Sequence, residues 1–284
     1  MKRKPLQTLL LFALVLLVLL FVYLPVAWLV ISSISTRAEL LSTPIRWIPQ
    51  NPTLQNYINI FSPGRSTSEV AKTFRITLWN SFVVASSVTA ITLVMGSLAA
   101  YALIRLRFPF RRFILLGILG TRMIPEISLV IPLYLFAAAY RLLNTPLILI
   151  ITYLSFALPF AIWLMAAFFQ TIPIELEDAA RIDGCTRLQT LFRIILPISS
   201  PGLVSTGLFV FLTAWDEFFF ALIFTSTVAA KTVPVAIAEF TGRYVVDIGS
   251  MMTGGVLAAI PPVMLSLIFQ RYIVSGLTAG AVKG

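Results

Sequence analysis

Histidine is absent from all 284 residues, and cysteine occurs once, as Cys185. Without His there is no imidazole to act as acid, base or metal ligand. One Cys permits no internal disulfide and no Cys-rich zinc site. Charge is scarce as well: 21 Lys or Arg and 11 Asp or Glu make up 11% of the chain. An ordinary soluble domain carries about 25%, and a soluble protein of this size cannot cover its surface with so few charges. No G-x-x-x-x-G-K-[ST] phosphate loop occurs either, so the chain has no means of binding ATP in that way. What is abundant is apolar: 59% of residues are hydrophobic, and their long runs place the chain in a membrane. The net charge of +10 does not mark a nucleic-acid face. The basic residues form no single block and lie scattered around apolar runs, as in membrane-protein loops.

A spanning helix needs about 20 mostly apolar residues. No charge occurs between Lys4 and Arg37, which gives a first span over about 6–33. Its length exceeds the apolar region of a cleavable signal peptide, about 7–15 residues, and no A-x-A site follows it. Further spans are expected over about 76–104, 113–140, 147–169, 202–224 and 252–274. The sequence therefore reads as all-α: one polytopic membrane domain, 1–284, with six transmembrane helices. No strong internal repeat is visible, and the two halves show no matched broken helices.

Orientation follows from Lys and Arg in short segments. The start carries Lys2, Arg3 and Lys4, and the connection after the second span carries Arg105, Arg107, Arg111 and Arg112. The short connection around Arg141 to Pro146 holds one Arg. Both termini are expected in the cytoplasm. Two outer segments are long: 35–75, with Trp47, Tyr57 and Phe61, and 225–251, with Lys231, Pro234, Glu239, Arg243 and Asp247 around VPVAIAEF. Each reads either as a connector or as a docking surface.

The segment 171–202, TIPIELEDAARIDGCTRLQTLFRIILPISSPG, is the most charged part of the chain. It reads as two short helices. Pro173 suits a helix start, and Glu175, Glu177 and Asp178 sit near the positive end of the helix dipole. Ala179 and Ala180 leave a low surface that a partner can approach. Gly184 permits a turn with positive φ. Leu188, Leu191, Phe192 and Ile195 then recur at helical spacing as one apolar face, and Pro197 and Pro201 close the segment. Its four acids and three bases lack the cationic excess of a helix lying on lipid headgroups.

Asp178-Ala179-Ala180, then Gly184, then Ile194, Leu196 and Pro197 resemble the EAA loop of permease subunits in binding-protein-dependent ABC importers. Asp178 stands where the family has Glu, and Cys185 where the sugar group often has Ala. The phrases NPTLQNY at 51–57, AWDEFFFALIF at 214–224 and SGLTAGAVKG at 275–284 are similar to those of the MalG-type subunit of carbohydrate importers. Asp216 replaces the usual Asn of that group.

The resemblance implies a type I ABC importer permease for a sugar, oligosaccharide or polyol, in a bacterial or archaeal plasma membrane. It implies no catalysis by this chain. Its partners would be a MalF-like second permease, a pair of ATPase subunits using ATP and Mg, and an extracytoplasmic solute-binding protein. The ATPase would be met by the coupling loop 171–201, through Glu177, Asp178, Ala179, Ala180, Asp183, Gly184 and Pro197. It would also be met by the tail 275–284, through Gly280, Val282, Lys283 and Gly284. Containing Gly276, Gly280 and Gly284, that tail is expected not to hold a stable helix.

Charged groups inside spans usually face the bundle interior or water. Arg122 and Glu126 are four apart, so they are expected to meet on one helix face, with Pro125 bending the helix between them. Asp216 and Glu217 point about 100° apart. With Trp215 and Phe219 these are the candidates for the solute path. The bland alternatives are a structural ion pair and aromatic helix packing. A carrier driven by an ion gradient through Arg122, Glu126, Asp216 and Glu217 is the competing reading of the same residues.

Overall fold

The computed structural model describes residues 5–62, 69–241 and 247–281. Ten helices carry the architecture. They are α1 (Pro5–Ser33), α2 (Glu69–Arg105), α3 (Arg111–Thr121), α4 (Val130–Ala139) and α5 (Pro146–Gln170), then α6 (Glu175–Ile182), α7 (Arg187–Ile198), α8 (Ser200–Trp215), α9 (Phe219–Phe224) and α10 (Ile248–Ala281). Four of them, α1, α2, α5 and α10, are each long and apolar enough to cross a membrane. The pairs α3 with 126–139 and α7 with α8 also qualify, but they bend by 89° and 82° at their breaks. Six spans result if each bent pair counts as one.

The interior prolines mostly leave the helices running: Pro25 lies in α1, Pro159 in α5, and Pro261 and Pro262 in α10. The span expected over 113–140 with a bend at Pro125 breaks outright. Helix α3 stops at Thr121, the chain turns through Arg122 to Pro125, and a 3-10 turn at Glu126–Leu129 restarts it. Pro125 has extended backbone (ψ 127°) and lacks the N–H that would continue the ladder. The fifth span also breaks, between Trp215 and Phe219. The third and fifth spans are therefore both interrupted, the third where Pro125 was expected to bend it and the fifth where nothing in the apolar run marked a break.

The chain divides into two compact units. One comprises residues 1–75 and 236–260. In it, the end of α1 leaves carbonyls without helical partners, and the NPTLQNY phrase satisfies them. Asn56 Nδ2 donates to the carbonyls of Ser33 and Ser35 at 3.0 and 3.3 Å, and Tyr57 Oη lies 2.8 Å from Ser33 Oγ. Thr253 Oγ1 donates to the Ser33 carbonyl as well, at 3.3 Å. A reciprocal capping box of Thr36 and Glu39 starts the short helix Arg37–Leu40. The rest of α1 is unburied along its apolar length.

The other unit comprises residues 76–235 and 261–284. One end of it is a cluster of Ala100 and Tyr101 from α2, Met165, Ala166 and Phe169 from α5, Ile172, and Leu191 and Ile195 from α7. That cluster is the floor on which the 171–202 segment rests. In the 225–251 segment, Val233 and Val235 are buried in this unit, and Phe240 is buried in the other. Arg243 lies outside the described residues.

Candidate functional site

The 171–202 segment is built by two capping devices around one glycine. Pro173 sits just ahead of α6, which starts at Glu175. At the other end Cys185 N–H donates to the Ala180 carbonyl at 2.9 Å, and Gly184 N–H to the Arg181 carbonyl at 3.1 Å. These are the paired bonds of a Schellman cap. They require a left-handed residue, and Gly184 has φ +85°. Helix α7 then opens with a second capping box: Thr186 N–H donates to Gln189 Oε1 at 2.8 Å, and Gln189 N–H to Thr186 Oγ1 at 3.3 Å.

Within α7, residues 191–195 form a π turn. Pro197 explains the widening, because it has no N–H to give to the Arg193 carbonyl and its ring crowds that group. The wider turn divides the expected apolar face. Leu191 and Ile195 are fully buried, whereas Leu188 and Phe192 are exposed. Pro197 does not end the helix; the break falls at Ser199, before α8.

One side of α6 faces inward. Glu177 is only 6% exposed and Ala180 only 4%. The Glu177 carboxylate meets the Arg105 guanidinium, Oε1 to Nε, at 2.5 Å. This is an ionic contact without aligned hydrogen-bond geometry. Its Oε2 accepts from Tyr101 Oη at 3.1 Å. Arg105 Nη2 also donates to the carbonyls of Phe169 and Ile172, at 2.9 and 2.7 Å. The end of α2 thus grips both α6 and the end of α5 through a single arginine. Glu177 and Ala180 therefore face the bundle. Asp178, Ala179, Asp183, Gly184 and Pro197 remain exposed, together with Ile174, Leu176 and the 86% exposed Ile182. Those isoleucines are apolar side chains left exposed in a charged segment.

The intramembrane candidates part company. Arg122 follows α3 as its cap and Glu126 lies beyond the break, so they share no helix face. Both line one cavity of about 460 Å³ with Thr121, Ser155, Phe156 and Phe220. Arg122 Nη1 donates to the Phe156 carbonyl at 2.9 Å. Trp215 is 2% exposed and stacks on Phe211 at 5.7 Å, so it is core. Asp216 is exposed at the end of α8. Glu217 is engaged locally: it accepts from Tyr153 Oη at 2.5 Å and from the Phe220 and Ala221 N–H groups at 2.8 and 3.1 Å. It holds the start of α9 against α5. The Phe219 ring packs on Phe220 at 5.5 Å.

The tail also differs from expectation. Helix α10 runs to Ala281 and includes Gly280. Extending an established helix costs only about 1 kcal/mol per Gly, far less than nucleating one. Val282, Lys283 and Gly284 lie outside the described residues.

The described helices thus combine long apolar spans and two bent pairs with a capped amphipathic segment clamped to α2 and α5. A solved bacterial ABC transporter chain involved in import of the acidic polysaccharide alginate has the same fold, with a TM-score of 0.80 at 20% identity, covering 96% of this chain and 99% of that one. The model of the binding-protein-dependent transport system inner membrane component matches residues 92–279. The sulfoquinovosyl glycerol transport permease SmoH of Agrobacterium fabrum is 40% identical, over 92% of this chain and 88% of its own. The trehalose/maltose transport permease MalG of Thermococcus litoralis is 41% identical, over 92% and 91%. The chain belongs to the family of binding-protein-dependent transport system inner membrane components.

Proposed function

We propose that this chain is the non-catalytic permease subunit of an ATP-driven importer for a carbohydrate or polyol. It supplies half of the pathway and pairs with a second, MalF-like permease. Separate ATPase subunits, using ATP and Mg, dock on the outward face of α6 around Asp178, Ala179, Asp183 and Gly184, while the tail around Gly280, Val282, Lys283 and Gly284 reaches the same subunits. A solute-binding protein delivers the cargo on the far side. The Lys and Arg distribution supports both termini in the cytoplasm, which puts the α6–α7 segment on the ATPase side. The names of the related permeases support the carbohydrate class.

The observation that carries the reading is the Schellman-capped α6 fastened to α2 by Arg105 and Glu177. A helix held at one face by a buried ion pair and exposed at the other moves with the bundle when pushed. The test reconstitutes the chain with its ATPase, partner permease and binding protein in liposomes. The reading expects ATP hydrolysis stimulated by sugar-loaded binding protein and uptake of that sugar. Uptake by this chain without an ATPase, driven by an ion gradient, would overturn it.

A further inference from the structure

We propose that the cavity beside the third-span break is a solute subsite on this subunit, built for an uncharged polyhydroxylated ring. The proposal rests on the carbohydrate-importer reading and names the chemistry of its pathway. At about 460 Å³ the cavity falls within the roughly 300–1,000 Å³ range of small-molecule sites. It lies between α3, the 3-10 turn at Glu126–Leu129 and α5, with Phe220 of α9 on one wall.

Its polar groups are positioned yet unsaturated. One Arg122 nitrogen holds the Phe156 carbonyl at 2.9 Å, and its guanidinium carbon lies 6.0 Å from the Phe160 ring centroid. These contacts fix the group while leaving other N–H donors of the five on a guanidinium. Glu126 lines the same cavity and has no hydrogen bond or ion pair to any described residue. A free carboxylate and a partly free guanidinium at mid-span are costly unless they face water. Interrupted backbone within a span is likewise tolerated where it lines a cavity. Sugar hydroxyls both donate and accept, so one ring satisfies Arg122 and Glu126 together. Phe156 and Phe220, with ring planes 16° apart, supply apolar wall for the C–H faces of the ring.

The charge count sets the selectivity. One cation and one anion line the cavity, so an uncharged solute leaves nothing uncompensated. A uronate or sulfonate would add a second anion beside Glu126 with Arg122 alone to offset the two. The subsite thus favours neutral sugars.

The experiment uses the full assembly with Ser155→Cys, because the Ser155 side chain is exposed and lines the cavity. Labelling by a membrane-impermeant thiol reagent is measured against the wild type, in which Cys185 sets the background. Trehalose, maltose and glycerol are the uncharged probes and galacturonate the anionic one. Residue 155 is expected to label, and at least one uncharged probe is expected to slow labelling severalfold while galacturonate does not. Adding Arg122→Gln or Glu126→Gln should raise the protecting concentration about tenfold. No labelling above background, labelling that no probe slows, or stronger protection by galacturonate would each overturn the subsite. Loss of sugar-stimulated ATP hydrolysis in the wild-type assembly would instead count against the importer reading, so the two failures are distinguishable.

Discussion

Replacing Glu177 tests whether the α6 clamp carries load. Its carboxylate and the Arg105 guanidinium are 8% and 11% exposed, so water screens the pair little. Glu177→Leu strands the Arg105 charge among apolar neighbours, at a cost of about 3–5 kcal/mol. Glu177→Gln keeps the shape and an acceptor for Tyr101, but removes the charge. The loss of a charge-assisted contact sets its cost nearer 2 kcal/mol, roughly a thirtyfold shift in a folding equilibrium. Arg105 would still hold the Phe169 and Ile172 carbonyls, so α5 stays attached while α6 loosens. The assay has two readouts on the reconstituted assembly: melting temperature, and ATP hydrolysed per solute imported. We predict that Glu177→Gln lowers the first and raises the second severalfold, and that Glu177→Asp, retaining the charge, restores part of both. A Gln variant with wild-type melting and wild-type stoichiometry would refute the reasoning.

Three further outcomes are expected. Gly184→Ala has open space for its Cβ but a φ of +85°, so it should cost about 1 kcal/mol; Gly184→Pro, with φ fixed near about −65°, should insert normally yet uncouple ATP use from uptake. Normal uptake by the proline variant would contradict the turn's role. Gly202→Ala places a Cβ 2.4 Å from Phe168 Cγ, so α8 or that ring must shift, with a loss of about 1–3 kcal/mol visible in thermal denaturation; unchanged melting would count against the packing described. Glu39 accepts from the backbone N–H groups of Asn51, Gln50 and Thr36, led by Asn51, which holds its pKa below the ordinary 4.5. Stabilisation of the 36–51 loop is therefore present above that value and lost as pH falls through the depressed one. The amide NMR signals of Gln50 and Asn51 should move with a midpoint under 4.5; a midpoint at or above it would sink the assignment, and Glu39→Gln should abolish the titration.

Run length and punctuation made the long helices legible, because twenty apolar residues without charge have little else to form. Gly184 was legible for the same local reason: a left-handed turn needs it. The T-x-x-Q spacing of Thr186 and Gln189 carries the capping signal just as locally. Arg105 was beyond reach, since its partner lies 72 positions along the chain and nothing local marks the pairing. Proline context explains other differences. Pro159, Pro261 and Pro262 sit inside continuous helices, while Pro125 accompanies a full break, and run length cannot separate the two. Trp215 and Phe219 were open to either a solute contact or helix packing by composition; Trp215 is buried against Phe211 and Phe219 packs on Phe220.

The π turn at 191–195 has a consequence for phase. Such a turn accommodates one residue more than an α-helical path of the same rise. Deleting a residue there would let the ladder close in ordinary turns while leaving Arg187–Thr190 at nearly the same azimuth relative to Ser199. Thr190 would keep its buried seat, whereas the same surplus residue carried in ordinary turns would rotate it by roughly 100°. The wide turn thus absorbs a surplus amino acid without changing the phase of what precedes it.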